Sequence, residues 1–188
     1  MNSALDELLR ESGWSLQDFG LIAVDHGPGS FTGIRVSVSV ARSLCYSLQK
    51  PCFVMDSNSI LALQTQSPLV VGINAYKNLI FASLHARDLS DTEIRVLSPS
   101  QLEDWVQSRG RLSDFTFVGD AWRAYQQSWT PSFRDQIKRD PSLSDFPSAS
   151  ALSRQALLSS PSDWISDWKM ILPLYLRESA AEENLRKP

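Results

Sequence analysis

The residues most able to do chemistry gather in one stretch, VDHGPGSFTGIRVS, Val24 to Ser37, where Asp25, His26, Ser30 and Thr32 stand among Gly27, Gly29 and Gly33. An apolar run precedes it and a long helical run follows, so it is a strand-to-helix turn. Three chemistries use such turns, and each demands a spacing. A Walker-type loop ends in Gly-Lys-Ser/Thr so that the lysine reaches the outer phosphates, whereas Gly33 is followed by Ile34 and Arg35. A dinucleotide fingerprint needs glycine at relative positions one, three and six, and the last of these is Thr32. A nucleophile elbow needs glycine two residues before and two after its serine, and around Ser30 those places hold Pro28 and Thr32. Asp25 and His26 are close to Ser30 in sequence, but neighbouring side chains at a strand end point to opposite faces. Two readings are left. Backbone N–H groups at the positive end of a helix bind an anion, with Gly27, Gly29, Ser30, Thr32 and Gly33 as the site. Alternatively, Gly27 and Gly29 supply unusual dihedrals for a tight junction, and Ser30 or Thr32 caps the helix.

Other chemical residues are sparse. His26 and His85 are the only histidines, and no His-x-x-x-His or Cys/His cluster points to a metal. Asp25, Asp56 and Asp120 each close an expected strand, the place where α/β proteins put functional carboxylates and equally where aspartates cap the next helix. Cys45 and Cys52 read as two buried thiols of a reducing compartment. Trp164 and Trp168, four apart, read as one helix face packed into a core.

The elements that must position these residues follow from periodicity and punctuation. Ala4 to Leu9 reads as helix, stopped by Gly13. LIAVD, Leu21 to Asp25, is a buried strand, and a helix runs from Phe31 to Leu48, ended before Pro51. CFVM, Cys52 to Met55, is a second strand, followed by a short helix from Ser57 to Gln64 that Ser57 or Asn58 caps. Strand, helix, strand in this order implies a right-handed crossover and a parallel pair. From Pro68 the texture changes: LVVGINA and LIFASLHA form a hairpin around Lys77 and Asn78, and TEIRVL adds a third strand. Ser98 or Ser100 then caps a helix through QLEDWVQS, and FTFVGD is a strand leading into a helix from Ala121 to Gln127. Residues 130–145 are loop with a short helix, Ala149 to Leu158 is helical, and LPLYLR is extended. The class is α/β in two lobes, divided near Gln66 to Pro68.

Bulk properties set the outer limits. With 188 residues and 43% hydrophobic content the chain can bury a real core. No apolar run approaches the roughly 20 residues that span a bilayer, and the polar, acidic start after Met1 is no secretory signal. The net charge of −3, from 18 basic and 21 acidic residues without a basic cluster, argues against nucleic-acid binding by this chain alone.

The long helix carries more information than the turn before it. At about 100° per residue, Ile34, Val38, Ala41, Cys45 and Leu48 form one apolar stripe. Val36, Val40 and Leu44 form a second, flanked by small Ser37, Ser43 and Ser47. Arg35, Ser39, Arg42 and Tyr46 occupy the remaining sector. A helix covering one sheet needs a single stripe, so the second asks for another helical surface, from this chain's first helix or from a partner.

GPGSFTGIR, the small-residue helix after it, INAYKNLIFASL, FVGDA and ILPLYLRESAAEE together resemble, in order, the TsaB (YeaZ) family, relatives of the glycoproteases within the actin-like ATPase superfamily. The resemblance implies a two-lobed actin-like fold (ASKHA, ribonuclease H-like) with an N-terminal lobe over 1–67 and a C-terminal lobe over 68–188. It also implies a truncated N-terminal lobe, because members begin with a strand carrying Asp-Thr-Ser and two further strands, so that Leu21 to Asp25 exposes an edge. The implied function is that of a non-catalytic, cytoplasmic subunit of the machinery that makes N6-threonylcarbamoyladenosine in tRNA. Catalysis and the metal belong to TsaD, TsaE is the driving ATPase, and tRNA is reached only through the complex. The implied interface with TsaD, or with a second copy in a homodimer, uses Leu5 and Leu9 of the first helix and Val36, Val40, Ser43, Leu44 and Ser47 of the second. No catalytic residue, metal ligand or cofactor is implied for the chain itself; ATP or ADP would sit only at the interface with a partner. The competing reading is a glycoprotease-like enzyme or nucleotide-binding ATPase with its site at GPGSFTG. Ser37 and Ser43 stand where the family has glycines, and Asn74 and Tyr76 where it has Asp and Arg.

Overall fold

The computed structural model describes residues 2–85 and 93–177. Met1, Ala86 of LIFASLHA, Thr92 of TEIRVL and the ESAAEE end of the C-terminal stretch lie outside them. Helix α1 (Asn2–Ser12) is longer at both ends than Ala4 to Leu9 and stops where Gly13 turns left-handed at φ 69°. Strand β1 (Ile22–Asp25), helix α2 (Phe31–Leu48) and strand β2 (Cys52–Met55) form the expected crossover, with Ile22 opposite Cys52 in a parallel two-stranded sheet. Helix α3 (Ser57–Ala62) is capped by Asp56, whose carboxylate accepts from Ser59 N at 2.8 Å, rather than by Ser57 or Asn58. The reason is visible in their side chains: the Ser57 hydroxyl donates to Asp25 and the Asn58 amide to the second lobe.

The second lobe is built on a four-stranded sheet of order β5-β4-β3-β6. Strands β3 (Leu69–Asn74) and β4 (Ile80–His85) are the expected hairpin, β5 (Arg95–Leu97) adds antiparallel to β4, and β6 (Thr116–Val118) lies parallel to β3. Between β5 and β6, helix α4 (Pro99–Arg109) begins at a Ser98–Gln101 capping box. Helix α5 (Ala121–Ala124) is shorter than Ala121 to Gln127, because the chain turns at Tyr125 to bury Trp129 against Trp122 and Phe133. Those three rings and Phe117 form the centre of this lobe's core. Helix α6 (Pro131–Gln136) is the short helix of the polar stretch.

Helix α7 (Ala149–Leu158) returns to the first lobe. Leu152 and Ala156 pack with Phe53 and Ile60 beneath the two-stranded sheet, while α2 covers the other face with Ile34, Val38, Ala41 and Cys45. Ile171 completes that upper cluster. Residues 66–68 therefore separate the two sheets, but the first lobe's core takes side chains from both ends of the chain. Trp164 and Trp168 do not share a helix: each borders a separate 3-10 turn, with Trp164 below the sheet and Trp168 against α2. Trp164 closes the first turn in extended backbone and Trp168 opens the second, so the stretch between them is not helical and the four-residue spacing gives two separate contacts. Cys45 and Cys52 are free and buried, and burial pushes the Cys52 thiol up to about 12. No described helix is long and apolar enough to cross a membrane.

Candidate functional site

The turn after β1 is tied down at both ends. Asp25 Oδ1 accepts from Gly27 N at 2.9 Å, and Ser57 Oγ donates to both carboxylate oxygens, at 2.7 and 2.9 Å. Ser57 N donates to Gly27 O at 2.8 Å. Gly27 has φ 105°, and a Cβ there would meet Ile34 Cδ1 at 2.7 Å, so glycine is required. Ser30 caps α2: its carbonyl accepts from Ile34 N at 2.8 Å and its hydroxyl from Gly33 N at 3.4 Å. Gly29 and Gly33 have space for a Cβ, and Thr32 is exposed on the first turn. The tight-junction geometry accounts for Gly27 and Ser30 and engages the N–H groups of Gly27 and Gly33.

All three strand-end carboxylates brace backbone. Besides Asp25 and the cap Asp56, Asp120 Oδ1 accepts from Asn74 N at 2.8 Å, joining β6 to β3. Burial raises the Asp25 carboxyl above its ordinary value, partly offset by the hydrogen bonds from Gly27 and Ser57. No local pattern announces Asp145, whose carboxylate accepts from Gly119 N and pairs with Arg139 at 3.0 Å. Its partner lies six residues away in a polar loop, a spacing without periodic signature. His26 Nδ1 lies 3.0 Å from Leu172 O, and His85 Nε2 lies 2.8 Å from Ser83 Oγ. The two histidines thus serve separate contacts. Asn58 Nδ2 bridges the lobes, donating to Phe81 O at 3.2 Å and Ser83 Oγ at 3.0 Å. Among the described residues, no three His, Cys, Asp or Glu side chains gather as a metal would require.

Helix α2 has three faces with different fates. The first stripe is buried at Ile34, Val38, Ala41 and Cys45, and half-buried at Leu48. On the second stripe Val36 is 45% exposed, Ser43 and Ser47 are exposed, and Val40 and Leu44 are half-buried. Val40, Leu44 and Ser37 line a groove of about 630 Å³ that runs along the unpaired edge of β1, opposite Leu152 of α7. Leu5 and Leu9 of α1 are half-buried and join none of the four hydrophobic clusters of the described residues. The polar face, exposed at Arg35, Ser39 and Tyr46, is touched by the segment after α7, a contact that no periodicity announces. Arg35 Nε donates to Tyr175 Oη at 2.9 Å, and the Arg42 guanidinium lies 5.2 Å from the Trp168 ring centre. Tyr46 meets the same tryptophan edge-on at 5.4 Å.

The family profile described as "TsaD: tRNA N6-adenosine threonylcarbamoyltransferase" matches residues 1–185. Among curated proteins, the tRNA threonylcarbamoyladenosine biosynthesis protein TsaB of Buchnera aphidicola is 24% identical over 75% of this chain and 71% of its own length. The TsaB protein of Haemophilus influenzae is 27% identical over 65% of this chain and 58% of its own. The chain belongs to this family, in its TsaB/YeaZ branch. The solved structure of YeaZ from Pseudomonas aeruginosa superposes with a TM-score of 0.72 at 24% identity, over 92% of this chain and 80% of that one. The two-lobed actin-like fold expected from the TsaB/YeaZ resemblance is thereby met. A shorter match, 45% identical over 26% of this chain, is to the tRNA N6-adenosine threonylcarbamoyltransferase of Chlamydia caviae.

Proposed function

We propose that this chain is a non-catalytic, cytoplasmic subunit of the machinery that makes N6-threonylcarbamoyladenosine in tRNA. It binds a TsaD-like transferase through the second stripe of α2, and meets a TsaE-like ATPase and tRNA only through that complex. The observation that carries this reading is α2 itself. Its first stripe is buried by its own sheet and its polar face stays largely exposed, whereas the second stripe is apolar yet open at Val36, beside exposed Ser43 and Ser47 and half-buried Val40 and Leu44. An apolar helical stripe edged with small residues suits close approach of a second helix. The names of the TsaB relatives support the pathway. Under this reading ATP or ADP is held only where a partner completes a site.

The match to the transferase profile favours a second reading, a catalytic chain with its site at the GPGSFTG turn. Co-elution of the purified chain with a TsaD-like protein, alongside assays of the chain alone for ATP hydrolysis, peptide cleavage and threonylcarbamoyl transfer, separates the two. A complex lost in Val36→Arg, with no turnover by the chain alone, is expected. Turnover by the isolated chain that Gly29→Asp abolishes would establish the second reading instead.

A further inference from the structure

The segment that follows the last 3-10 turn has no regular structure of its own, yet it is held at Ile171, Leu172, Leu174, Tyr175 and Arg177. Ile171 is fully buried between α2 and the two-stranded sheet. The Leu172 carbonyl lies against His26 Nδ1, and Leu174 N donates to His26 O at 2.9 Å. Tyr175 stacks on Phe31, with ring centres 4.9 Å apart, and accepts from Arg35. Two residues later the chain has crossed to the other lobe. There Arg177 Nη1 donates to Ala75 O at 2.6 Å and to Tyr76 O at 3.3 Å.

What Arg177 grips is an unusual turn. Tyr76, Lys77 and Asn78 are all left-handed, at φ 59°, 51° and 59°, a conformation that L-residues rarely adopt in succession. Such a turn persists only where its surroundings over-determine it. Asn74 Oδ1 accepts from Tyr76 N at 2.8 Å, Tyr125 Oη donates to Asn74 Oδ1 and Leu79 O, and Arg177 fixes the two carbonyls on the remaining side. Beneath the segment lies a cleft of about 410 Å³ whose walls are the first turn of α2, Tyr76 and Lys77, and residues 174–177.

We propose that residues 171–177 are an interlobe strap. Anchored on the first lobe at His26, Phe31 and Arg35 and pinned by Arg177 to the Tyr76–Asn78 turn, the strap sets the width of the cleft beneath it. It joins α2 mechanically to the left-handed turn. Arg177 acts as a positioning residue, and this role is independent of which partner α2 binds.

Hydrogen exchange of the full chain, compared among wild type, Arg177→Ala, Arg177→Lys and Tyr175→Phe, tests the strap. In Arg177→Ala the amides of Ala75 and Leu79 should exchange tenfold faster or more, while those of Val70 and Ala82 in the strands keep their protection. Small-angle scattering of the same variant should report a larger radius of gyration. Arg177→Lys should retain most of the protection, because a single ammonium can serve both carbonyls that Nη1 serves. Tyr175→Phe removes one anchor with little change of shape, and should raise exchange at Leu174 without touching the strands. Unchanged exchange at Ala75, Leu79 and Leu174 in both Arg177→Ala and Tyr175→Phe, with unchanged scattering, would overturn the proposal. So would acceleration spread evenly over β3 and β4, which would make Arg177 an ordinary stabilising contact.

Discussion

Substituting the two faces of α2 in turn should separate association from folding. Val36 is 45% exposed and Val38, two residues on, is 2% exposed. Full burial of a valine side chain is worth about 1.5–3 kcal/mol. Covering the exposed part of Val36 by a partner therefore contributes about 0.7–1.4 kcal/mol, and Val36→Ala, which removes two of its methyl groups, should weaken the complex roughly threefold. Val36→Arg adds a bulky charge to an apolar contact and should abolish the complex at micromolar concentration while the isolated chain keeps its stability. Val38→Ala deletes two buried methyl groups at about 0.8 kcal/mol each and leaves a cavity, so it should cost about 2–3 kcal/mol of folding stability. Its affinity for the partner, corrected for the unfolded fraction, should not change. Isothermal titration against a TsaD-like protein and urea denaturation of the free chain measure the two quantities. A Val36→Arg chain that binds like wild type, or that loses as much stability as Val38→Ala, refutes the assignment of the second stripe to an interface.

At the turn, Gly27→Ala should cost about 1–3 kcal/mol of stability, because the left-handed φ and the 2.7 Å approach to Ile34 both oppose a Cβ. Gly29→Ala should stay within about 0.5 kcal/mol, and urea midpoints compare them. Burial holds the His85 imidazole below the ordinary histidine value, with Asp56 opposing in part. The unfolded chain then binds the proton more readily, so stability should be lost as pH falls through 6.5 toward the folded-state value and regained as it rises. His85→Gln should flatten that limb of the thermal-melting profile; a wild-type limb that persists in the variant would assign it to another group. The isolated chain, with its net charge of −3, should bind tRNA no tighter than about micromolar at physiological salt, as fluorescence anisotropy can establish.

Local signals made most of the fold legible. Apolar runs beside Gly or Pro located β1, β2 and β3, the Lys77–Asn78 turn located β4, and the period of α2 separated its buried stripe from its more open one. What stayed hidden depends on long-range contact. The choice of Asp56 over Ser57 as a cap is decided by Asp25, thirty-odd residues earlier in the chain, which draws the Ser57 hydroxyl away. The truncation of α5 is decided by the stacking of Trp129, and the two tryptophans 164 and 168 are drawn to opposite faces of a sheet formed by residues 22–55. The strap has no periodicity at all, because its contacts are with His26, Arg35 and the Tyr76 turn rather than with itself. At the candidate site, residue types announced the Gly27 junction, but the bracing of its carboxylate by Ser57 required the parallel pairing of β1 and β2.

The three faces of α2 connect these observations. A two-stranded sheet is marginal by itself; this one is held by α2 above and by α3 and α7 below, with Ile171 of the strap closing the upper cluster. The same strap touches the polar face of α2 where Tyr175 meets Arg35, and continues to Arg177 on the second lobe. A partner seated on the remaining face would thus press on a helix whose other two faces are coupled to the sheet and to the Tyr76–Asn78 turn. Its binding energy would stabilise the first lobe by mass action, and the helix it grips is the one that Tyr175 ties to the segment ending at Arg177. Docking and interlobe geometry thus draw on different faces of one helix, the open stripe at Val36 and the Phe31 and Arg35 contacts of the strap.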